Sequence, residues 1–159
     1  MSSFIPSPDL DLIDLLLGEH GCLLSLFRHV EARLPSMPLE EMLKAGEVLE
    51  DLLMAHALEE DQLLFLALPV GQSGVRETLK AMFDEHNEQR RLLGELKEQT
   101  EAVRARGILT RLLELTREHF AVEERILFGL AKQMLSDERR SELGAEYARR
   151  RGLCSAHQA

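Results

Sequence analysis

One ten-residue phrase occurs twice in this chain, and its repetition constrains the fold more than any other feature. The copies at residues 56–65 and 119–128 both read His-x-x-x-Glu-acid-x-aliphatic-Leu-Phe. Residues four apart lie one turn apart on the same face of an α-helix. Each copy therefore predicts a helix that points one imidazole and one carboxylate in the same direction. The paired side chains are His56 with Glu60 and His119 with Glu123.

Two further histidines follow a glutamate in a second repeated phrase, Glu19-His20 and Glu85-His86, and both phrases lie within apolar helical patterns. A lone histidine on an apolar stripe is more often a hydrogen-bonded core residue than a metal ligand. Four such histidines with two inward carboxylates favour the opposite interpretation, because an ionised carboxylate buried without a cation costs several kcal/mol. The sequence thus predicts a two-metal site with the ligands His20, His56, Glu60, His86, His119 and Glu123.

Apolar periodicity and short breaks predict four long helices and a shorter fifth one. Ser7 is expected to cap the first helix with Pro8 in its first turn, Gly107 to end the third, and Ser136 to cap the fifth. The expected ranges are about 8–34, 38–67, 73–106 and 108–135 for the long helices and 137–151 for the fifth, before a tail at 152–159.

Connections this short make successive helices antiparallel neighbours, so we predict an all-α, up-down-up-down four-helix bundle with a short C-terminal helix, in one domain spanning residues 1–159. Counting from the helix ends places the four histidines at one level, about 18 Å from the same end of the bundle. Apolar residues at helical spacing from the histidines form the expected core stripes. They are Ile13, Leu16, Leu17, Leu23, Leu24, Phe27, Leu49, Leu52, Leu53, Leu63, Leu79, Met82, Phe83, Leu93, Leu112, Leu115 and Ile126.

The net charge of the chain argues against one class of partner. The formal net charge of −9 argues against a nucleic-acid partner, since a phosphate backbone is attracted to basic surfaces. Arginines are concentrated only near the C-terminus, where we expect them to solvate the fifth helix and complement its dipole. They are Arg139, Arg140, Arg149, Arg150 and Arg151.

The remaining sequence signals indicate a soluble, cytoplasmic protein. No apolar run is long enough to span a membrane, and the N-terminus has neither the basic start nor the cleavage site of a secretory signal. Cys22 and Cys154 are expected to be reduced thiols. No nucleophile triad or phosphate loop is present, so any turnover must come from the metals.

The mixture of imidazole and carboxylate ligands suits iron, manganese or zinc, and two carboxylates able to bridge imply two ions, with iron first for oxygen chemistry. Ferritin-like bundles use Glu-x-x-His instead. That motif is absent, because the residues three before the histidines are Leu17, Leu53, Phe83 and Thr116.

The order His, His-x-x-x-Glu, His, His-x-x-x-Glu over about residues 8–135 resembles the hemerythrin-like, or HHE cation-binding, domain of the four-histidine, two-glutamate type. This resemblance implies a pair of non-heme iron ions (Fe²⁺/Fe³⁺) with an oxo or hydroxo bridge. It implies that the four histidines are terminal ligands and that Glu60 and Glu123 are bridging carboxylates. Which two histidines share an ion is left open.

Oxygen-carrying hemerythrins have a further histidine four residues after the third-helix one, and this chain has Arg90 there. Each ion then keeps an exchangeable position, which favours reaction or metal release over reversible oxygen carriage. The resemblance implies binding of, or reaction with, dioxygen, peroxide or nitric oxide in oxidative or nitrosative stress, and an enzymatic redox activity stays open. The alternative is an iron- or oxygen-sensing, storage or donation module, including iron–sulfur repair. The protein partner, and whether the chain is a monomer or a dimer, stay open.

Neighbouring acids offer competing assignments. Glu19 and Glu85 fit either a role behind the ligands or a solvated helix edge. Glu124 competes with Glu123, which we favour because Glu60 has the same offset from its histidine. His29 is expected at the surface, and Tyr147, on the fifth helix, is not expected beside the metals.

Overall fold

The computed structural model describes residues 10–72 and 74–153, and within these ranges every regular element is helical. The α-helices are α1 (Leu12–Arg33), α2 (Leu39–Glu59), α3 (Val75–Lys97), α4 (Ala102–Val122), α5 (Phe128–Met134) and α6 (Asp137–Arg150). A 3₁₀ turn, Leu34–Ser36, follows α1. The all-α bundle predicted from the sequence is confirmed. No helix of these ranges has the length and apolar character needed to cross a membrane.

Two π-helical turns lengthen the bundle helices: π1 (Glu60–Phe65) continues α2, and π2 (Glu123–Leu127) joins α4 to α5. Each begins at the glutamate of the repeated phrase. A π-helical turn holds more residues than an α-helical one, so the side chains after it are rotated about the helix axis. Accordingly Ile126, expected in the core, is exposed, and Leu127 is buried in its place.

Two helix boundaries differ from the predicted ones. α1 begins at Leu12, because the carboxylate of Asp11 accepts a hydrogen bond from the Ile13 backbone N–H at 2.8 Å and caps the helix. The predicted cap at Ser7 and start at Pro8 fall on residues outside the described ranges.

The break predicted at Gly107 lies instead at residues 98–101. This break gives the four long helices similar lengths of 21 to 23 residues, whereas a third helix reaching residue 106 would extend about 13 Å further. Arg106 then lies in α4, where its guanidinium donates to the carbonyls of Leu34 at 2.9 Å and Met37 at 3.1 Å. These bonds tie α4 to the α1–α2 connection.

The apolar core consists of two separate clusters. One lies toward the α1–α2 and α3–α4 connections and includes Phe27, Leu49, Leu93, Leu112 and Phe120. The other lies toward α6 and includes Ile13, Leu16, Met82, Leu127 and Tyr147.

Most of the expected stripe residues are buried or partly buried, but Leu52 and Phe83 are exposed. At these places two adjacent residues were expected to face the core, and only Leu53 and Met82 do. The inward stripes are therefore narrower than predicted.

Helix α6 packs against the N-terminal half of α1. Ser136 caps it as predicted, accepting a hydrogen bond from the Arg139 backbone N–H at 3.1 Å. The expectation that the C-terminal arginines only solvate α6 is wrong for three of them, because neighbouring helices present carboxylates to this face. Arg140 pairs with Asp11, Arg150 with Glu59, and Arg151 with Glu19.

Gly144→Ala is expected to loosen α6. A Cβ at residue 144 would lie 1.6 Å from the carbonyl oxygen of Leu10, a backbone atom that cannot move aside cheaply. We expect the free energy of unfolding to fall by about 1–3 kcal/mol in chemical denaturation. Gly107→Ala is the matched control, since its Cβ meets open space on α4 and should raise stability by about 0.5–1 kcal/mol. Equal effects of the two substitutions would contradict this packing.

Candidate metal centre

A layer of six polar side chains separates the two apolar clusters. Each long helix contributes one histidine, and each π-helical turn begins with one glutamate. All six are at most 2% exposed, so they are buried as deeply as the leucines around them. The structure brings together every residue that the sequence singled out: His20, His56, Glu60, His86, His119 and Glu123.

The first half of this layer contains His20 and His56, whose Nε2 atoms are 3.0 Å apart. The His20 Nε2 atom lies 3.3 Å from Glu123 Oε2, and the His56 Nε2 atom lies 3.3 Å from Glu60 Oε1. One atom from each of these four residues lies within 4.8 Å of all the others. Four potential ligand atoms therefore surround one point.

The second half repeats this arrangement with the other two histidines. The Nε2 atom of His86 lies 3.3 Å from Glu60 Oε2, and that of His119 lies 3.0 Å from Glu123 Oε1. Each glutamate thus offers one oxygen to each half. The geometry pairs His20 with His56 and His86 with His119. The sequence had left this pairing open.

The outer nitrogen of each of the four histidines in the layer contacts a carboxylate. The contacts form a closed ring in which each acid belongs to the helix before that of its histidine, and the last helix serves the first. The Nδ1 contacts are His56 to Glu19 at 2.7 Å, His86 to Asp61 at 3.0 Å, His119 to Glu85 at 2.5 Å and His20 to Glu124 at 2.8 Å. A carboxylate on Nδ1 favours the tautomer that carries its proton there, which leaves the Nε2 lone pair directed inward.

This ring resolves the assignments left open by the sequence. Glu19 and Glu85 contact histidines and are not merely a solvated edge. Glu123 faces the interior with no exposure, whereas the Glu124 side chain is 41% exposed and contacts only an outer nitrogen. The sequence did not identify Asp61 or Glu124 as ring members, although an acid directly after the glutamate in both repeated phrases was the available signal.

Tyr147 is closer to the site than the sequence indicated. It is buried on α6 and hydrogen-bonds to Glu19, which in turn contacts His56. The tyrosine is thus linked to His56 through Glu19, because α6 folds back onto α1. That no redox tyrosine lies beside the metals stays a prediction. His29 is exposed as predicted, Cys22 is an exposed free thiol, and Cys154 lies outside the described ranges.

The carboxylates control the protonation of the buried imidazoles. Burial by itself would lower the pKa of His56, but the charge of Glu60 and the hydrogen bond to Glu19 raise it to about 10. Burial is likewise outweighed at His119, where Glu123 and Glu85 raise the pKa to about 9. The same pairing with His56 holds the pKa of Glu60 well below its usual value despite complete burial.

Six buried atoms of this layer have no hydrogen-bond partner. They are both carboxylate oxygens of Glu60 and Glu123 and the Nε2 atoms of His86 and His119. A buried polar atom without a partner costs about 1–3 kcal/mol. Cations at the centres of the two halves would satisfy all six, and nitrogen with carboxylate oxygen is a donor set that iron, manganese and zinc accept. The residues therefore fit a pair of metal ions.

Two cavities lie outside the layer. A crevice of about 150 Å³ between α1 and α2 is lined by Glu19, Cys22, Leu23, Leu26, Leu52 and Arg151. A larger depression of about 700 Å³ lies between Asp11 and the N-terminal half of α6. The larger depression contains no histidine, so its volume does not mark the chemical site.

Comparison with known protein families agrees with this geometry. The family model described as the hemerythrin HHE cation binding domain matches residues 11–146. The chain belongs to this family. The match extends beyond the bundle into α6, so most of that helix is part of the family domain. Searches of curated proteins and of solved structures found no match.

The raised histidine pKa values predict how the stability of the metal-free protein depends on pH. Because His56 and His119 hold protons more tightly when folded than at the ordinary value of 6.5, their contribution is complete below about pH 6.5. It is lost as the pH rises through about 9 to 10. We expect the thermal midpoint of the metal-free chain to fall as the pH rises from about 6.5 to about 10. His119→Gln should reduce the fall and His29→Gln, at an exposed position, should not; a rising midpoint would contradict the assignment.

Proposed function

We propose that this protein holds two non-heme iron ions and uses them to bind or react with dioxygen, peroxide or nitric oxide, in handling oxidative or nitrosative stress. The observation that carries the proposal is the pair of buried ligand groups, in which two histidines per group share the two glutamates. Membership of a cation-binding family also supports it.

In this proposal His20 and His56 bind one ion, and His86 and His119 bind the other. Glu60 and Glu123 would contribute to both ions, since each presents its two oxygens to different halves. With an oxo or hydroxo bridge, each ion would have about five ligands, which would leave room for an exogenous ligand. When bound, the iron pair supplies the redox chemistry.

The protein's own residues orient the imidazoles and shield the site from water. The ring of outer carboxylates fixes the imidazole orientations, and the apolar clusters on both sides exclude water from the layer. Arg90, which replaces a fifth imidazole, points outward and donates to Asn87 at 3.0 Å and Asp61 at 3.5 Å. Its guanidinium supports an outer carboxylate, so the second half of the layer offers only two imidazoles.

The metal content after anaerobic iron loading tests the proposal. We expect two ions per chain by elemental analysis, together with an oxo-bridge absorption after oxidation. Glu123→Ala removes one oxygen from each group, so it should abolish tight binding of both ions. His29→Ala is the control and should retain both. A wild-type chain that takes up no iron, or a Glu123→Ala variant with full iron content, would refute the proposal. Consumption of peroxide or nitric oxide by the loaded protein then distinguishes reaction from sensing.

A separate prediction concerns the outer carboxylates, and the chain offers a matched control for it. Glu85 and Glu118 each directly precede a histidine, but only Glu85 contacts one, and Glu118 is exposed. We expect Glu85→Ala to weaken metal affinity about 10- to 100-fold, because His119 loses the partner that fixes its ring. Glu118→Ala should leave the affinity unchanged in competition with a chromophoric chelator. Comparable losses in both variants would indicate a general charge effect.

A further inference from the structure

We propose that Gln89 and Thr116 form a polar binding site for a small anionic ligand beside the second cation, the one held by His86 and His119. This inference rests on the proposed function and assigns the exogenous ligand to one half of the centre. The residues concerned are neither cation ligands nor members of the carboxylate ring.

Helix register places the two side chains at one level. Gln89 is three residues after His86 on α3, and Thr116 is three residues before His119 on α4. These helices are antiparallel, and the two imidazole rings have their centroids 4.8 Å apart. Gln89 and Thr116 therefore lie on the inward faces about one turn, or about 4.5 Å, from the imidazoles in the same direction.

Each side chain is buried and has a hydrogen-bond donor without a partner. Gln89 is 2% exposed and Thr116 is fully buried. Neither the amide Nε2 of Gln89 nor the hydroxyl of Thr116 has an acceptor or donor within reach. Buried polar groups are nearly always partnered, so two unpartnered donors next to a proposed cation indicate a ligand that completes them.

The other half of the centre has no such groups. Leu23 and Leu53 occupy the corresponding positions, three residues from His20 and His56, and both are buried in the apolar cluster. The two halves of the centre are nearly symmetric in their ligands but differ in their neighbours. The half with His20 and His56 has apolar neighbours, and the half with His86 and His119 has polar ones. An amide N–H and a hydroxyl can both donate to an anion, and the adjacent cation attracts negative charge. The polar half is the one suited to an anionic ligand.

Azide titration of the iron-loaded, oxidised protein tests this assignment, followed by its charge-transfer absorption. Gln89→Leu and Thr116→Val replace the donors with apolar groups of similar size, and Gln89→Leu reproduces the residue of the other half. We expect each to weaken azide binding about tenfold while two ions per chain remain bound. Leu23→Met and Leu53→Met are the matched controls and should change the affinity less than twofold.

A second measurement on the metal-free protein does not depend on bound iron. Removing unpartnered donors should leave the thermal midpoint of Gln89→Leu and Thr116→Val unchanged or raise it. A clearly lower midpoint would show that the groups have structural partners and would overturn the assignment.

Three results of the titration would also overturn it: unchanged azide affinity in both variants, an equal loss in the leucine controls, or loss of one ion from Gln89→Leu. The last result would make Gln89 a metal ligand. Failure of the wild-type chain to bind two ions would instead overturn the proposed function, so the two failures are distinguishable.

Discussion

The structure depends on the burial of two glutamate side chains in an apolar bundle. Glu60 and Glu123 have no exposed surface, and none of their four carboxylate oxygens has a hydrogen-bond donor. In the metal-free state the imidazoles beside Glu60 compensate its charge, which explains why the pKa of Glu60 is lowered and that of His56 is raised. A pair of cations would compensate the carboxylates more completely, because each half of the layer contains one oxygen of both residues. Metal binding and folding are therefore expected to be thermodynamically coupled.

The carboxylate ring turns this local requirement into a constraint on the whole bundle. The Nδ1–H of each histidine in the layer donates to a carboxylate on an adjacent helix. A shift of one helix along its axis therefore breaks two contacts, that of its own histidine and that of its own carboxylate. Polar contacts inside an apolar core specify register more sharply than leucine packing, because an unmatched polar group is costly there. The helix alignment and the ligand geometry stabilise each other.

Much of the bundle and the central six residues could be predicted, because repeated His-x-x-x-Glu spacing reports a shared helix face directly. Other features depend on tertiary structure. The α3–α4 break contains neither glycine nor proline, and Gly107 is tolerated inside α4. The residues of the π-helical turns have no distinctive composition, so the sequence does not reveal these turns. They nevertheless determine that Leu127 is buried and Ile126 is not. The adjacent acids Glu123 and Glu124 differ in the direction in which their side chains point. From the sequence, Glu123 could be preferred only because Glu60 has the same spacing from its own histidine.

The connectivity of the layer has a consequence for how such a domain could be divided. The α1–α2 hairpin with π1 supplies one histidine pair and one shared glutamate, and the hairpin of α3 and α4 with π2 supplies the other pair and the other glutamate. Two of the four ring contacts join the hairpins, Asp61 to His86 and Glu124 to His20. A fragment cut in the connection between π1 and α3 would contain one complete histidine pair but only one of the two shared glutamates, so neither ligand group would be complete. The fold is thus organised as a dimer of hairpins within one chain, in which the ligand set becomes whole only when the two halves meet.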